Sequence, residues 1–121
     1  MRKAKYSSGP IANEHATIYA PESIYSTVTL IALNNSKRNE VKLVVTLYEL
    51  NGKKSEVTTI KRSIGPEESE MINLDVSDLD RFSVHVKGKM MGRIDKKFLV
   101  SITGKDELGS LVNIFPLHDL M

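Results

Sequence analysis

Residues 40–50 read Glu-Val-Lys-Leu-Val-Val-Thr-Leu-Tyr-Glu-Leu, and Asn51-Gly52 follows directly. Val41, Leu43, Val45 and Leu47 recur at every second position, the period of a strand whose side chains alternate between two faces. Val44 and Tyr48 on the opposite face are apolar too, so both faces call for cover. Asn-Gly tolerates positive φ at both central positions of a tight turn and is the strongest short hairpin signal. The stretch predicts a strand over 40–50 and an antiparallel return over 55–64.

The same period recurs on either side. Residues 23–33 place Val28, Leu30 and Ala32 on one face, with Thr27 and Thr29 opposite. The polar cluster 34–39 then reads as a loop. Gly65-Pro66-Glu67-Glu68-Ser69 predicts a turn, because Pro66 has no N–H for a ladder. Ile72, Leu74 and Val76 alternate with Asn73 and Asp75. Phe82, Val84 and Val86 alternate with Ser83, His85 and Lys87, the pattern of a half-solvated antiparallel strand. Phe98, Val100 and Ile102 repeat it, residues 111–115 offer a last short strand, and 15–19 an early marginal one. Seven or eight short strands without a long amphipathic helix predict an all-β fold, an antiparallel two-sheet sandwich. Residues 1–10, basic and then polar, read as a flexible N-terminal arm, and residues 11–121 as a single β-sandwich domain.

Composition narrows the chemistry. The 121 residues include no cysteine, which excludes disulfides, thiolate nucleophiles and cysteine-ligated metals. A net charge of +2, from 17 basic and 15 acidic residues, points to neither nucleic acid nor an anionic membrane as partner. The basic start leads into no apolar run of signal-peptide type, and no apolar stretch is long enough for a membrane helix. The expectation is a soluble protein made in the cytoplasm, reaching a cell or spore surface only after release.

Residues 72–86, Ile-Asn-Leu-Asp-Val-Ser-Asp-Leu-Asp-Arg-Phe-Ser-Val-His-Val, resemble the E–F corner of immunoglobulin-like and fibronectin type III sandwiches. Leu79 matches the corner leucine, and Phe82 takes the place of the usual tyrosine, without the hydroxyl that would bond back to the corner. The resemblance implies architecture. The whole chain also looks like the small cysteine-free β proteins of spore-forming Gram-positive bacteria, mostly of uncharacterised function. Some β-sandwich proteins of such bacteria are spore-surface fibre subunits joined by N-terminal arms, typically with cysteines, which this chain lacks.

Chemical motifs are sparse. His15, His85 and His118 lie far apart on different elements, without the close spacing of a metal pair. Asp75, Asp78 and Asp80 form a carboxylate cluster that could offer oxygens to a hard cation, but without the glycine and later glutamate of a calcium loop. The alternative is a corner whose aspartates bond nearby backbone N–H groups. No nucleophile elbow, phosphate-binding glycine loop or dinucleotide fingerprint is present. The expectation is a non-enzymatic protein without a cofactor.

Two features suggest partner binding. Met90 and Met91, between Gly88 and Gly92, read as an adaptable loop tip, or as one methionine tucked into the core. The N-terminal segment, with Ile11, Ile18 and Tyr19 as apolar anchors, could add a strand to a neighbouring copy, while Val44 and Tyr48 need covering. The leading expectation is a structural or protein-interaction domain that self-associates by strand addition. The alternative is a ligand-binding sandwich for carbohydrate or nucleic acid, which would display clustered tyrosine and lysine on one sheet face. The pairs Lys37-Arg38, Lys53-Lys54, Lys61-Arg62 and Lys96-Lys97, with Lys87 and Lys89, otherwise read as solvated edges.

Overall fold

The computed structural model describes residues 2–14, 24–94 and 96–120. The marginal strand expected at 15–19, with Ile18, Tyr19 and His15, lies outside the described residues. Ten strands are described: β1 (Arg2–Ser7), β2 (Ile11–Ala12), β3 (Thr27–Asn34), β4 (Val41–Leu50), β5 (Lys54–Ile64), β6 (Ser69–Asp75), β7 (Arg81–Met90), β8 (Phe98–Lys105), β9 (Leu111–Phe115) and β10 (His118–Asp119). They form two antiparallel sheets, so the two-sheet sandwich read from the periodicity is the observed fold. The large sheet runs β10-β1-β7-β4-β5 with β2 also beside β7, and the small sheet runs β6-β3-β8-β9.

The core is made by the alternating residues of both sheets. Val41, Leu43, Val45 and Leu47 of β4 and Phe82, Val84 and Val86 of β7 are buried. So are Val28, Leu30 and Ala32 of β3, Ile72 and Leu74 of β6 and Ile102 of β8. β3 pairs with β6 in the small sheet and β4 with β7 in the large one, and β8, the strand after β7, crosses to the small sheet and pairs with β3.

Three local features differ from the sequence reading. Residues 2–7, expected in an arm outside the domain, form β1 between β7 and β10, aligned with β7 from Arg2↔Met90 to Ser7↔His85. The sequence hid this strand because lysine occupies its outward positions, while only Ala4 and Tyr6 turn partly inward. Ile11, expected as an anchor on a neighbour, pairs with Phe82 and is buried in its own core. The hairpin after β4 has three loop residues, because Leu50 pairs with Lys54. Only Gly52 there takes positive φ, at 94°, and Val57 is left unpaired as a bulge.

Two inward glycines let aromatic rings lie on the strands. A Cβ at Gly88 would stand 2.7 Å from the Phe98 ring, and one at Gly104 2.5 Å from the Tyr25 ring. Both are sterically impossible without movement of a packed ring. Gly88→Ala is expected to lower unfolding free energy by about 2 kcal/mol through overpacking, measured by urea denaturation. A midpoint equal to the native one would mean that Phe98 yields without cost.

Candidate interaction surfaces

Two asparagines hold the loops that shape the surfaces. The fully buried Asn13 turns its amide nitrogen toward the carbonyls of Tyr25, Val76 and Leu79, at 3.0, 2.9 and 3.0 Å. Its Oδ1 accepts the Tyr25 N–H at 2.6 Å. This side chain ties the corner around Leu79 to the start of β3. Asn34 has the same function at the far end: its amide faces the carbonyls of Asn39, Ile64 and Gly65, and its Oδ1 accepts the Ser36 N–H. Both look like ordinary loop residues in the sequence.

At the aspartate corner, Asp75 braces the turn that follows it. Asp75 Oδ1 accepts bonds from the Ser77 N–H and hydroxyl, which hold its carboxyl below the usual aspartate range. Among the described residues no group of three or more histidines and carboxylates could hold a metal ion, and Asp75, Asp78 and Asp80 form no such group. His85 lies on β7 and His118 on β10. Met90 is fully buried in the core, whereas Met91 is exposed.

Outward residues of the large sheet form a charged grid. Across β1, β7, β4 and β5, one row aligns Lys3, Lys89, Lys42 and Ser63, and the next aligns Lys5, Lys87, Val44 and Lys61. Six of eight positions carry lysine and none carries an acid. The nearest acids by register are Glu40, two residues before Lys42, and Glu56, two rows away beside Tyr48. Lys89 next to Lys87, helped by Lys5, Lys3 and Lys61, pulls the Lys87 ammonium below the ordinary lysine range. The lysine stems rise around the shorter Val44 and enclose an open groove of about 480 Å³.

The row below is polar and neutral, with Ser7, His85, Thr46 and Thr59 in register. Tyr48 follows it, its ring edge-on to His85 at 4.8 Å and under the Lys54 ammonium at 4.4 Å. Burial and then the Lys54 charge push the His85 imidazole below its ordinary range. The Ser83 hydroxyl beside Tyr48 is buried without a hydrogen-bond partner.

The small sheet turns a different chemistry outward. Its rows align Ser69, Leu33 and Leu99, then Met71, Ile31 and Ser101, then Asn73, Thr29, Thr103 and Ile114. Ile31, Met71, Leu99 and Ile114 are 45–64% exposed. Charge enters only in the last row, with Asp75 and Lys105. Sequence reasoning passed over this face because its apolar residues alternate with threonine and serine on strands whose other face is also apolar.

No protein-family model matches the chain, nor does any curated protein. Its structure is similar to that of Thermotoga maritima 1070, with TM-score 0.54 and 13% identity over 96% of this chain and 89% of that one. It also aligns with the Anabaena sensory rhodopsin transducer at TM-score 0.48 and 12% identity, over 85% of this chain and 95% of that one. The first likeness is one of fold alone.

Proposed function

We propose that the chain is a non-enzymatic protein-interaction domain that self-associates through the outer face of its small sheet. The observation that carries this reading is the segregation of exposed apolar side chains. Ile31, Met71, Leu99 and Ile114 share three uncharged rows of one face, while the opposite outer face bears the lysine grid. Two copies can meet on those rows without bringing like charges together. Contiguous apolar surface of this kind marks contact sites rather than ordinary exposure.

The footprint fits a modest dimer. Four strands of about seven residues cover roughly 450 Å² in plan on each copy. Side-chain relief raises the accessible area above that, toward the roughly 1,000 Å² total that a specific interface needs. We place the contact on the sheet face rather than on an exchanged N-terminal strand. β1 takes both neighbours from its own chain, and Ile11 fills its own core. A surface-fibre role rests on the sequence resemblance alone.

The test is the solution mass of the native chain and of the double variant Ile31→Lys/Leu99→Lys, by sedimentation equilibrium over a concentration series. A native dimer and a folded, monomeric variant are expected. A native monomer throughout, or an unchanged mass in the variant, would sink the reading. The circular dichroism spectrum of the variant checks its fold independently.

The alternative, a ligand-binding sandwich, has its own observation. The lysine grid supplies the clustered lysines such a module would display, with a single tyrosine, Tyr48, and His85 at its foot.

A further inference from the structure

We propose that the lysine grid on the outer face of the large sheet binds the phosphate backbone of single-stranded nucleic acid, without base-specific readout. The site is independent of the small-sheet contact and lies on the opposite face.

The placement of charge calls for a ligand. Like charges directly opposite across a ladder weaken a sheet. Here Lys3 faces Lys89, Lys89 faces Lys42 and Lys5 faces Lys87. The chain has 15 acidic residues and sets none of them in these rows. Two of the three opposed pairs depend on β1, so the strand that completes the sheet also completes the field. The mutual repulsion around Lys87 is relieved when an anion replaces its missing counter-charge.

Shape and chemistry select the class. The rows lie about 7 Å apart along the strands and extend about 14 Å across them, an elongated field rather than a broad plane. Val44 is a low floor within the second row, flanked by Lys87 and Lys61, so a flexible chain can settle with ammonium groups on both sides. Lysine presents a point charge, which suits phosphates along a backbone, without the fixed bidentate geometry of arginine. The next row offers the exposed Thr59 hydroxyl and the half-buried His85 imidazole, and Tyr48 stands beyond it. Those groups can meet sugars and bases, which a phosphate backbone brings with it. A bilayer surface would leave that row unused, and no exposed apolar side chain stands among the lysines to enter it.

The experiment is fluorescence anisotropy of a labelled oligothymidylate with the full chain, titrated at several salt concentrations. Four to five neutralised phosphates predict a log–log salt slope of about −3. Lys87→Gln/Lys89→Gln should weaken binding about tenfold at low salt and flatten the slope by roughly 1.4. Its melting temperature should equal or exceed the native value, because repulsion is removed, so lost binding cannot be lost fold. Lys96→Gln/Lys97→Gln, outside the grid, should bind like the native chain. The proposal is overturned by absence of binding at low salt, or by equal losses in both variants. It is equally overturned if inorganic polyphosphate or anionic vesicles bind more tightly than the oligonucleotide.

Discussion

Asn13→Asp is expected to lower the unfolding free energy at neutral pH by about 3–5 kcal/mol, the scale seen when a buried charge is left uncompensated. The substitution changes almost no volume. It replaces an amide that donates toward three carbonyls, of Tyr25, Val76 and Leu79, with an oxygen that can only repel them. The Tyr25 N–H would still find an acceptor, so the damage lies on the donor side. Protonating the new carboxyl restores one donor. Burial among carbonyls raises its pKa in the folded state, so the variant should regain part of its stability as pH falls through that raised value. Asn13→Ala, which leaves the carbonyls unpaired but uncharged, should cost about 2–3 kcal/mol. Urea denaturation of the three proteins at neutral and mildly acidic pH measures the order. An aspartate variant within 1 kcal/mol of native would mean that water or a backbone shift satisfies the corner instead.

Phe82→Ala should be comparably severe, at about 3–5 kcal/mol, because it removes a large side chain from a packed interior and leaves a cavity. Phe82 is fully buried at the start of β7, where its backbone pairs with Ile11 of β2 and Glu49 of β4. The loss should not be uniform. β2 has only two residues, and its pairing partner in the sheet is β7. Amide exchange at Ile11 and Ala12 should accelerate more than exchange in the middle of β4. Uniform acceleration across both sheets would mean that β2 has no separate opening and unfolds only with the whole domain.

How much of this was legible depended on whether the signal is local. Val41, Leu43, Val45 and Leu47 announce their strand because the alternation is uninterrupted and every inward residue is apolar. The turn at 65–68 was equally plain: Pro66 takes its usual position, the Glu68 N–H closes on the Gly65 carbonyl, and Glu67 carries the positive φ. β1 was not legible, since Arg-Lys-Ala-Lys-Tyr-Ser has no apolar period and becomes a strand through its alignment with a segment some 80 residues away. The lysine grid failed for the same reason. Lys3, Lys5, Lys42, Lys61, Lys87 and Lys89 are scattered along a nearly neutral chain, and only the register of four strands gathers them. A whole-chain charge averages away such a field. Asn13 and Asn34 give no sequence signal, because a polar residue in a loop looks the same whether it faces water or carbonyls.

The position of β1 also bears on how the chain is made. Ser7 leaves the ribosome well before His85, its partner on β7. Until then β1 is an unclaimed edge with its backbone donors and acceptors open to any other nascent chain. Lysines at alternate positions are a recognised guard against such pairing. Lys3 and Lys5 would therefore act first as chaperoning charges during synthesis, keeping the strand single until its own sheet can receive it.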